Sequence, residues 1–287
     1  MTKPSEQEIV IITGASSGIG AATALRLARQ GFHVLAGVRR DKDAAAIRAP
    51  GIEPLIIDIT RPDHIYALAA RVHEDPQGRA VRALVNNAGV GINAPVEVFA
   101  IDEWRRLFEV NLFGHIAIIQ ALLPALVLSK GRVINISSVG GKIAMATYGP
   151  YAGTKFAMEA VSDSLRREVA PFGVKVIVVE PGAVTTEMLG RVAETAERVI
   201  AGMTPEQLGR YDTLMRAIIS QAKAAIPKGV SAEEAGRVIG DAIISKRPRT
   251  RYTVGREAAL LPLLAMLPDR LLDRIFAVAL RPHLPKS

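Results

Sequence analysis

Residues 8–20, Glu-Ile-Val-Ile-Ile-Thr-Gly-Ala-Ser-Ser-Gly-Ile-Gly, constrain the fold of this chain more than any other stretch. The β-branched run from Ile9 to Thr13 suits a strand covered on both faces. Gly14, Gly18 and Gly20 follow at once. Ala21, Ala22, Ala24, Leu25, Leu27 and Ala28 then recur at helical spacing up to Gly31. A strand, a glycine-rich turn and a helix in that order aim unpaired helix N–H groups at one point, an anion site in waiting. Glycines let the backbone turn sharply and pass close to a pyrophosphate. The spacing is G-x-x-x-G-x-G rather than G-x-G-x-x-G. A turn serving structure alone could carry the same glycines, but its place between an N-terminal strand and a helix favours a dinucleotide.

The same alternation runs through the chain. Strands are predicted at 33–38, 52–57, 81–85, 132–136 and 174–179, with 251–254 as a candidate seventh. Helices are predicted at 62–73, 101–128 and 150–170. Alternating strands and helices make an α/β, Rossmann-like, doubly wound parallel sheet of about seven strands with helices on both faces. Hydrophobic residues are 49% of the chain, enough for a large core. With no internal repeat or linker, one domain over 1–287 is the simplest organisation. Its core covers about 8–255, an irregular helical insertion about 185–228, and a helical C-terminal extension about 256–287. In such sheets ligands lie beyond the carboxyl ends of the strands, where the insertion emerges.

Composition excludes several chemistries. The chain has no cysteine, so disulfides, thiol nucleophiles and cysteine-held metals are absent. The five histidines are scattered, and no metal site is expected. A net charge of +8 raises nucleic acid as a partner. No basic helix or aromatic-basic interleaving accompanies it, and Arg39-Arg40 and Lys246-Arg247-Pro248-Arg249 are the notable clusters, so no nucleic-acid partner is expected. The polar N-terminus lacks a signal-like apolar run, which makes a cytoplasmic location the expectation.

Chemistry concentrates in residues 138–155. Ser138 ends a predicted strand, and Tyr151 and Lys155 share one helix face at i, i+4. A free phenol has a pKa of about 10, and a neighbouring ammonium favours its ionised form. Tyr151 beside Lys155 is therefore a candidate general acid/base, and Ser138 can hydrogen-bond the same substrate oxygen. A solvated tyrosine one turn from a solvated lysine is the blander alternative for the pair alone. The second strand ends in Val38-Arg39-Arg40, where NAD-binding folds often carry an acidic residue for the ribose 2′-OH. An arginine there can hold a 2′-phosphate. Arg39 is the first candidate and Arg40 the alternative.

Together these motifs resemble the short-chain dehydrogenase/reductase family, within it the hydroxysteroid and retinol dehydrogenase-like branch. The resemblance spans residues 8–255. It rests on Thr13-Gly14-x-x-x-Gly18-x-Gly20, Asp58, Asn86-Asn87-Ala88-Gly89, Asn111, Ser138, Tyr151-x-x-x-Lys155, and Pro181-Gly182 with Thr186. It implies that Tyr151 is the acid/base, that Lys155 binds the nicotinamide ribose and lowers the tyrosine pKa, and that Ser138 orients the carbonyl. It implies that Asn111 holds a proton-relay water, the alternative being a core asparagine. It gives cofactor contacts to Gly14, Ser16, Ser17, Gly18, Ile19, Gly20, Arg39, Asp58, Asn87, Ala88, Gly89, Tyr151, Lys155, Pro181, Gly182, Val184 and Thr186. Asp58 and Thr186 have helix capping as their plainer role. The implied activity is NADP(H)-dependent interconversion of a carbonyl and an alcohol. The alternatives are an NAD(H)-dependent alcohol dehydrogenase and a cofactor-sensing regulator. Family members pair through the helices at 101–128 and 150–170, whose apolar faces are broad here, so a homodimer or homotetramer is expected.

The substrate is expected to be a bulky lipophilic carbonyl or alcohol, such as a steroid, a retinoid or a long-chain ketone, with a place in lipid metabolism. The reason is the set of apolar side chains placed over the site: Met188, Leu189, Met215 and Ile218. Residues 258–280 are apolar but interrupted by Pro262, Pro268 and four charges, and read as two short helices, the second amphipathic. From Lys223 onward twelve Lys/Arg face six Asp/Glu. A basic, amphipathic end can lie on an anionic membrane. A helical cap over the insertion is the favoured alternative.

Overall fold

The computed structural model describes residues 7–255, 258, 260 and 264–284. Seven strands form one parallel sheet: β1 (Ile9–Ile12), β2 (His33–Val38), β3 (Ile52–Ile56), β4 (Val81–Asn86), β5 (Arg132–Ile136), β6 (Lys175–Pro181) and β9 (Arg251–Val254). Their order is β3-β2-β1-β4-β5-β6-β9, with every pairing parallel. The candidate seventh strand is thus real and sits at the edge beside β6.

β1 shows why its sequence is apolar without alternation. Val10 and Ile12 pack on one face with Ala24 and Leu27 of α1 (Gly18–Arg29) and with Ala235 and Ile239 of α9 (Ala232–Ile244). Ile9 and Ile11 pack on the other with Ile65 and Leu68 of α3 (Pro62–His73) and with Ile118 and Leu122 of α5 (Gly114–Ser129). All four β1 side chains are fully buried, each contributing roughly 1.5–3 kcal/mol. The chain leaves β1 toward β2 and β3, then returns to β4 on the opposite side. The crevice between the carboxyl ends of β1 and β4 is therefore the topological switch point.

Two helices have no counterpart in the sequence reading: the short α2 (Asp41–Ile47) and α9. α9 lies against α1 through glycine. A Cβ on Gly236 would come within 3.0 Å of the backbone of Ala22 and Thr23. Arg82 of β4 donates to Ile243 O, and Arg132 of β5 donates to Ala242 O and Ser245 O. These bonds satisfy the last carbonyls of α9.

The predicted helix at 101–128 is interrupted. α4 (Ile101–Phe108) leads into a π-helical segment, Glu109–Phe113, and then into α5. By length and composition Ile101–Ser129 is apolar enough to cross a membrane. Ile118, Ile119, Leu122 and Leu126 nevertheless lie in the core beneath the sheet, so α5 is built as a core helix.

The insertion is regular rather than irregular. α7 (Glu187–Ala201) and α8 (Pro205–Ala225) form a helical hairpin, with Thr204 and Gln207 making a capping box at the start of α8. Its apolar residues fill a small core of their own around Ala196, Met203, Met215 and Ile219. At its base β7 (Val184–Thr185) pairs with β8 (Val230–Ser231). The helix α10 (Asp269–Leu280) and the turn at 281–283 lie beside α8, with Ser220 Oγ and His283 Nδ1 3.1 Å apart. This is the second of the two expected C-terminal helices; the first falls largely outside the described residues.

Candidate active site

The glycine turn is shaped by contacts that only glycine permits. Gly14 has φ +66°, and a Cβ there would sit 2.7 Å from Ala88 Cα. Gly18 has φ +55°, with Thr186 Cγ2 3.0 Å from the Cβ position. A Cβ on Gly20 would lie 2.5 Å from Asn87 Nδ2. Ser17 is the N-cap of α1, yet its side chain caps nothing. The first N–H groups of α1, those of Gly18 and Ile19, are therefore left without a side-chain cap, beside exposed Ser16.

The turn is braced from β4. Thr13 Oγ1 accepts from the amides of Asn87 and Ala88, each at 3.0 Å. Asn87 Nδ2 donates to Thr13 O at 2.9 Å and Gly14 O at 3.0 Å. The polar groups of Asn87 and Ala88 thus hold the loop. Thr13 was read as part of the motif but given no role; its fully buried hydroxyl joins the two halves of the site.

Arg39 and Asp58 stand at the carboxyl ends of β2 and β3. Asp58 Oδ1 accepts from Thr60 N at 3.0 Å and Thr60 Oγ1 at 2.7 Å, forming the turn into α3, whose N-cap is Arg61. Its plainer role is therefore a turn closure rather than a helix cap. Arg40 is bound to Asp43 by Nε at 2.6 Å and Nη2 at 3.0 Å. Arg39 is exposed and, among the described residues, has no ion-pair or hydrogen-bond partner. The two neighbouring arginines thus differ in this one exposed ion pair.

Ser138, Tyr151 and Lys155 come together where β5 meets α6 (Gly149–Val169). Ser138 Oγ accepts from Gly140 N at 3.0 Å and donates to Pro181 O at 3.4 Å. Lys155 is buried, its Nζ donating to Ile136 O at 2.9 Å and lying 5.7 Å from the Tyr151 ring centre. Burial is the largest influence on Tyr151 and pushes the phenol up; the Tyr148 phenol adds to this and the Ser138 hydroxyl opposes it. Burial also pushes Lys155 down, to about 8, against the pull of Glu159. The lysine sits over the ring, and desolvation weakens its hold on its proton without removing it at neutral pH.

Asn111 lies in the π-helical segment, fully buried. Its Oδ1 accepts from Val90 N at 2.9 Å, and its Nδ2 donates to Val90 O at 2.8 Å and Thr154 Oγ1 at 3.2 Å. Both amide hydrogens are used inside the protein, so the side chain ties the loop after β4 to α6. These bonds fit the core-asparagine alternative for the side chain. Pro181 closes β6 beside Ser138, and the Gly182 amide donates to Val254 O at 3.0 Å. Val184 is buried in β7. Thr186 precedes α7 with no side-chain cap bond, so the plainer capping role does not hold.

Of the apolar residues placed over the site, Met188 is there, its Cγ and Sδ each 3.7 Å from the Cβ position of Gly91. Met215 is not: it is fully buried in the hairpin's own core, because the hairpin must fill itself before it can cover anything else. Ile218 is buried in α8, and the Leu189 side chain lies outside the described residues. Two residues at the site escaped the sequence reading. Tyr148 stacks edge-on to Tyr151 with ring centres 5.6 Å apart. His115 is buried and donates from Nε2 to Ala88 O at 2.7 Å; burial first, then the Lys155 charge, push it down to about 3, so it is neutral. A tyrosine three residues before Tyr151 was a visible signal for the first; nothing local marked His115.

The comparisons with known proteins agree with this geometry. Residues 8–197 match the family model described as short chain dehydrogenase. Retinol dehydrogenase 5 of Mus musculus is 36% identical over 95% of this chain and 88% of its own length. The NADPH-dependent 3-dehydrocapnine reductase of Ornithobacterium rhinotracheale is 33% identical over 93% and 95%. A short chain dehydrogenase from Burkholderia cenocepacia, solved in complex with NADP, superposes with a TM-score of 0.72 at 25% identity, covering 94% of this chain and 98% of that one. The chain is thus an oxidoreductase that belongs to the short-chain dehydrogenase/reductase family, in its retinol dehydrogenase-like branch.

Proposed function

We propose that this protein reduces the carbonyl of a bulky lipophilic substrate with NADPH, the reverse direction being oxidation of the alcohol. The observation that carries this reading is the convergence of Ser138, Tyr151 and Lys155 beside the glycine turn at the switch point. The dinucleotide supplies the hydride when bound. Gly14, Gly18 and the N-terminus of α1 receive its pyrophosphate, and unpaired Arg39 takes the 2′-phosphate. Thr186 and the segment from Pro181 to Val184 flank the nicotinamide end, and Lys155 takes the ribose hydroxyls. The Ser138 and Tyr151 hydroxyls hold the substrate oxygen, and Tyr151 delivers the proton as that oxygen gains charge. Burial keeps the phenol protonated at neutral pH, the state a donor needs.

A lipophilic substrate is supported by Met188 over Gly91. The name of the retinol dehydrogenase relative supports the same class, and that of the capnine reductase supports NADPH. We read α10 as a cap on α8 rather than a membrane contact; binding to anionic vesicles would overturn that. Exposed Ile101, Phe113 and Phe156 on α4, the π segment and α6 support pairing of two copies, and a monomer at micromolar concentration in sedimentation would refute it. The central test is a panel of steroid, retinoid, long-chain and small polar carbonyls with NADPH, run on the wild type and Tyr151→Phe. Lipophilic carbonyls turn over, and Tyr151→Phe binds NADPH normally while losing at least about a thousandfold in kcat. Preference for small polar substrates, or an active Tyr151→Phe, would sink the reading.

A further inference from the structure

Behind Lys155 lies a buried ionic cluster that the proposed reaction does not use. Glu159 follows Lys155 by one turn of α6, on the same face, and is 5% exposed; Glu180 of β6 is 3% exposed. Lys142, at the end of the turn after Ser138, places Nζ 2.8 Å from Glu159 Oε2 and 3.7 Å from Glu180 Oε1. Arg251 of β9 places Nη2 2.8 Å from Glu159 Oε2 and 3.0 Å from Asp163 Oδ1, with Nε 3.1 Å from Glu180 Oε1. Arg166 reaches Asp163 at the outer end. Glu159 Oε1 is buried and has no partner among the described residues.

Three carboxylates therefore face Lys142 and Arg251. Among the described residues Lys155 Nζ makes one hydrogen bond, to the Ile136 carbonyl, and lies over the Tyr151 ring, while its charge reaches the neutral His115. A buried ammonium with a single carbonyl bond is unfavourable unless a negative charge compensates it. We propose that Glu159 is a positioning residue for Lys155: its buried carboxylate, one helical turn away, keeps the lysine charged inside an otherwise apolar site. The direction of the electrostatics agrees, since Glu159 is the charge that opposes the burial of Lys155. Glu180 is pushed up by burial first and by Glu159 second. The inference rests on Lys155 being the cation of the site, and the test keeps the two ideas apart.

The test follows Lys155 by NMR in protein labelled with ¹³Cε-lysine, its signal assigned by its loss in Lys155→Met, together with the pH dependence of kcat. In Glu159→Gln the Lys155 titration moves to lower pH by about one unit or more. Lys142→Met, which removes a facing cation, moves it the other way, so the prediction survives if the glutamine variant fails to fold. An unchanged Lys155 titration in both folded variants, with only lower thermal stability, would leave Glu159 a structural residue and overturn the proposal. If the titration moves and the alkaline limb of kcat does not, Glu159 acts as proposed and the catalytic part given to Lys155 is what fails.

Discussion

Replacing Arg39 by aspartate tests how this protein chooses its cofactor. Arg40 spends its guanidinium on Asp43 through two bonds, at 2.6 and 3.0 Å. Arg39 has no such partner among the described residues and stands at the carboxyl end of β2, near enough to Asp58 to help hold that carboxylate down. A hydrogen bond to a charged group contributes roughly 1.5–3 kcal/mol, or roughly ten- to a hundredfold in affinity. Because Arg39 is exposed, solvent screens the contact, and one such bond is a fairer measure than a bidentate pair. Arg39→Asp adds repulsion toward a dianionic phosphate. We expect NADPH to bind about a hundredfold more weakly in low salt, and NADH to bind as well as or better than in the wild type. Arg40→Ala should change NADPH binding by less than about threefold, since that side chain is already committed. Titration of nicotinamide fluorescence at two ionic strengths reads both, and the wild-type preference should shrink at high salt. If Arg40→Ala weakened NADPH as much as Arg39→Asp does, the assignment from the Asp43 ion pair would be wrong.

Two further outcomes follow from burial. Lys155→Met abolishes turnover yet raises the melting temperature at pH 7 by a few degrees, because a desolvated ammonium is removed. Its folded pKa is depressed to about 8 by burial, so the wild type carries the cost in full below that pH and sheds it as pH rises toward the unfolded value of about 10.4; a lower melting temperature for the variant across that range refutes this. Asp75 is 2% exposed and bound by Arg79 and Arg71. The Arg79 hydrogen bond is the largest influence, and the carboxyl is held well below the usual range. Asp75→Asn should cost about 3 kcal/mol at pH 7 in urea unfolding. The difference from wild type persists above about pH 4 and fades below it, where the unfolded carboxyl takes a proton; a constant difference down to pH 2 would refute it.

The parts of the site carried by local chemistry were legible in the chain itself. Positive-φ glycines at 14 and 18, the i, i+4 placement of Tyr151 and Lys155, and the uninterrupted apolar run of β1 each need only a few neighbouring residues to be understood. So does the alternation of strand and helix, from which the parallel sheet and its switch point follow. α9 was missed because its inward face owes its fit to Gly236 against α1, a glycine that sequence reading takes as a breaker. The insertion looked irregular because its apolar residues point into a core that exists only when α7 and α8 fold against each other.

Tertiary structure decided what the charges and buried polar groups do. Nothing in Arg39-Arg40 distinguishes the two arginines, and only the folded chain shows Asp43 beside one of them. Lys155 looks like a helper of Tyr151 at i, i+4, but its ionisation depends on burial and on Glu159, whose own partners include Arg251, 92 residues further along the chain. That the Asn111 amide bonds Val90 and Thr154 is likewise visible only in the folded chain. Backbone conformation and periodicity are properties of short segments, so sequence alone determined them. Burial and ion pairing arise only where distant segments exclude water together, and they were settled when the chain closed around β1 and β5.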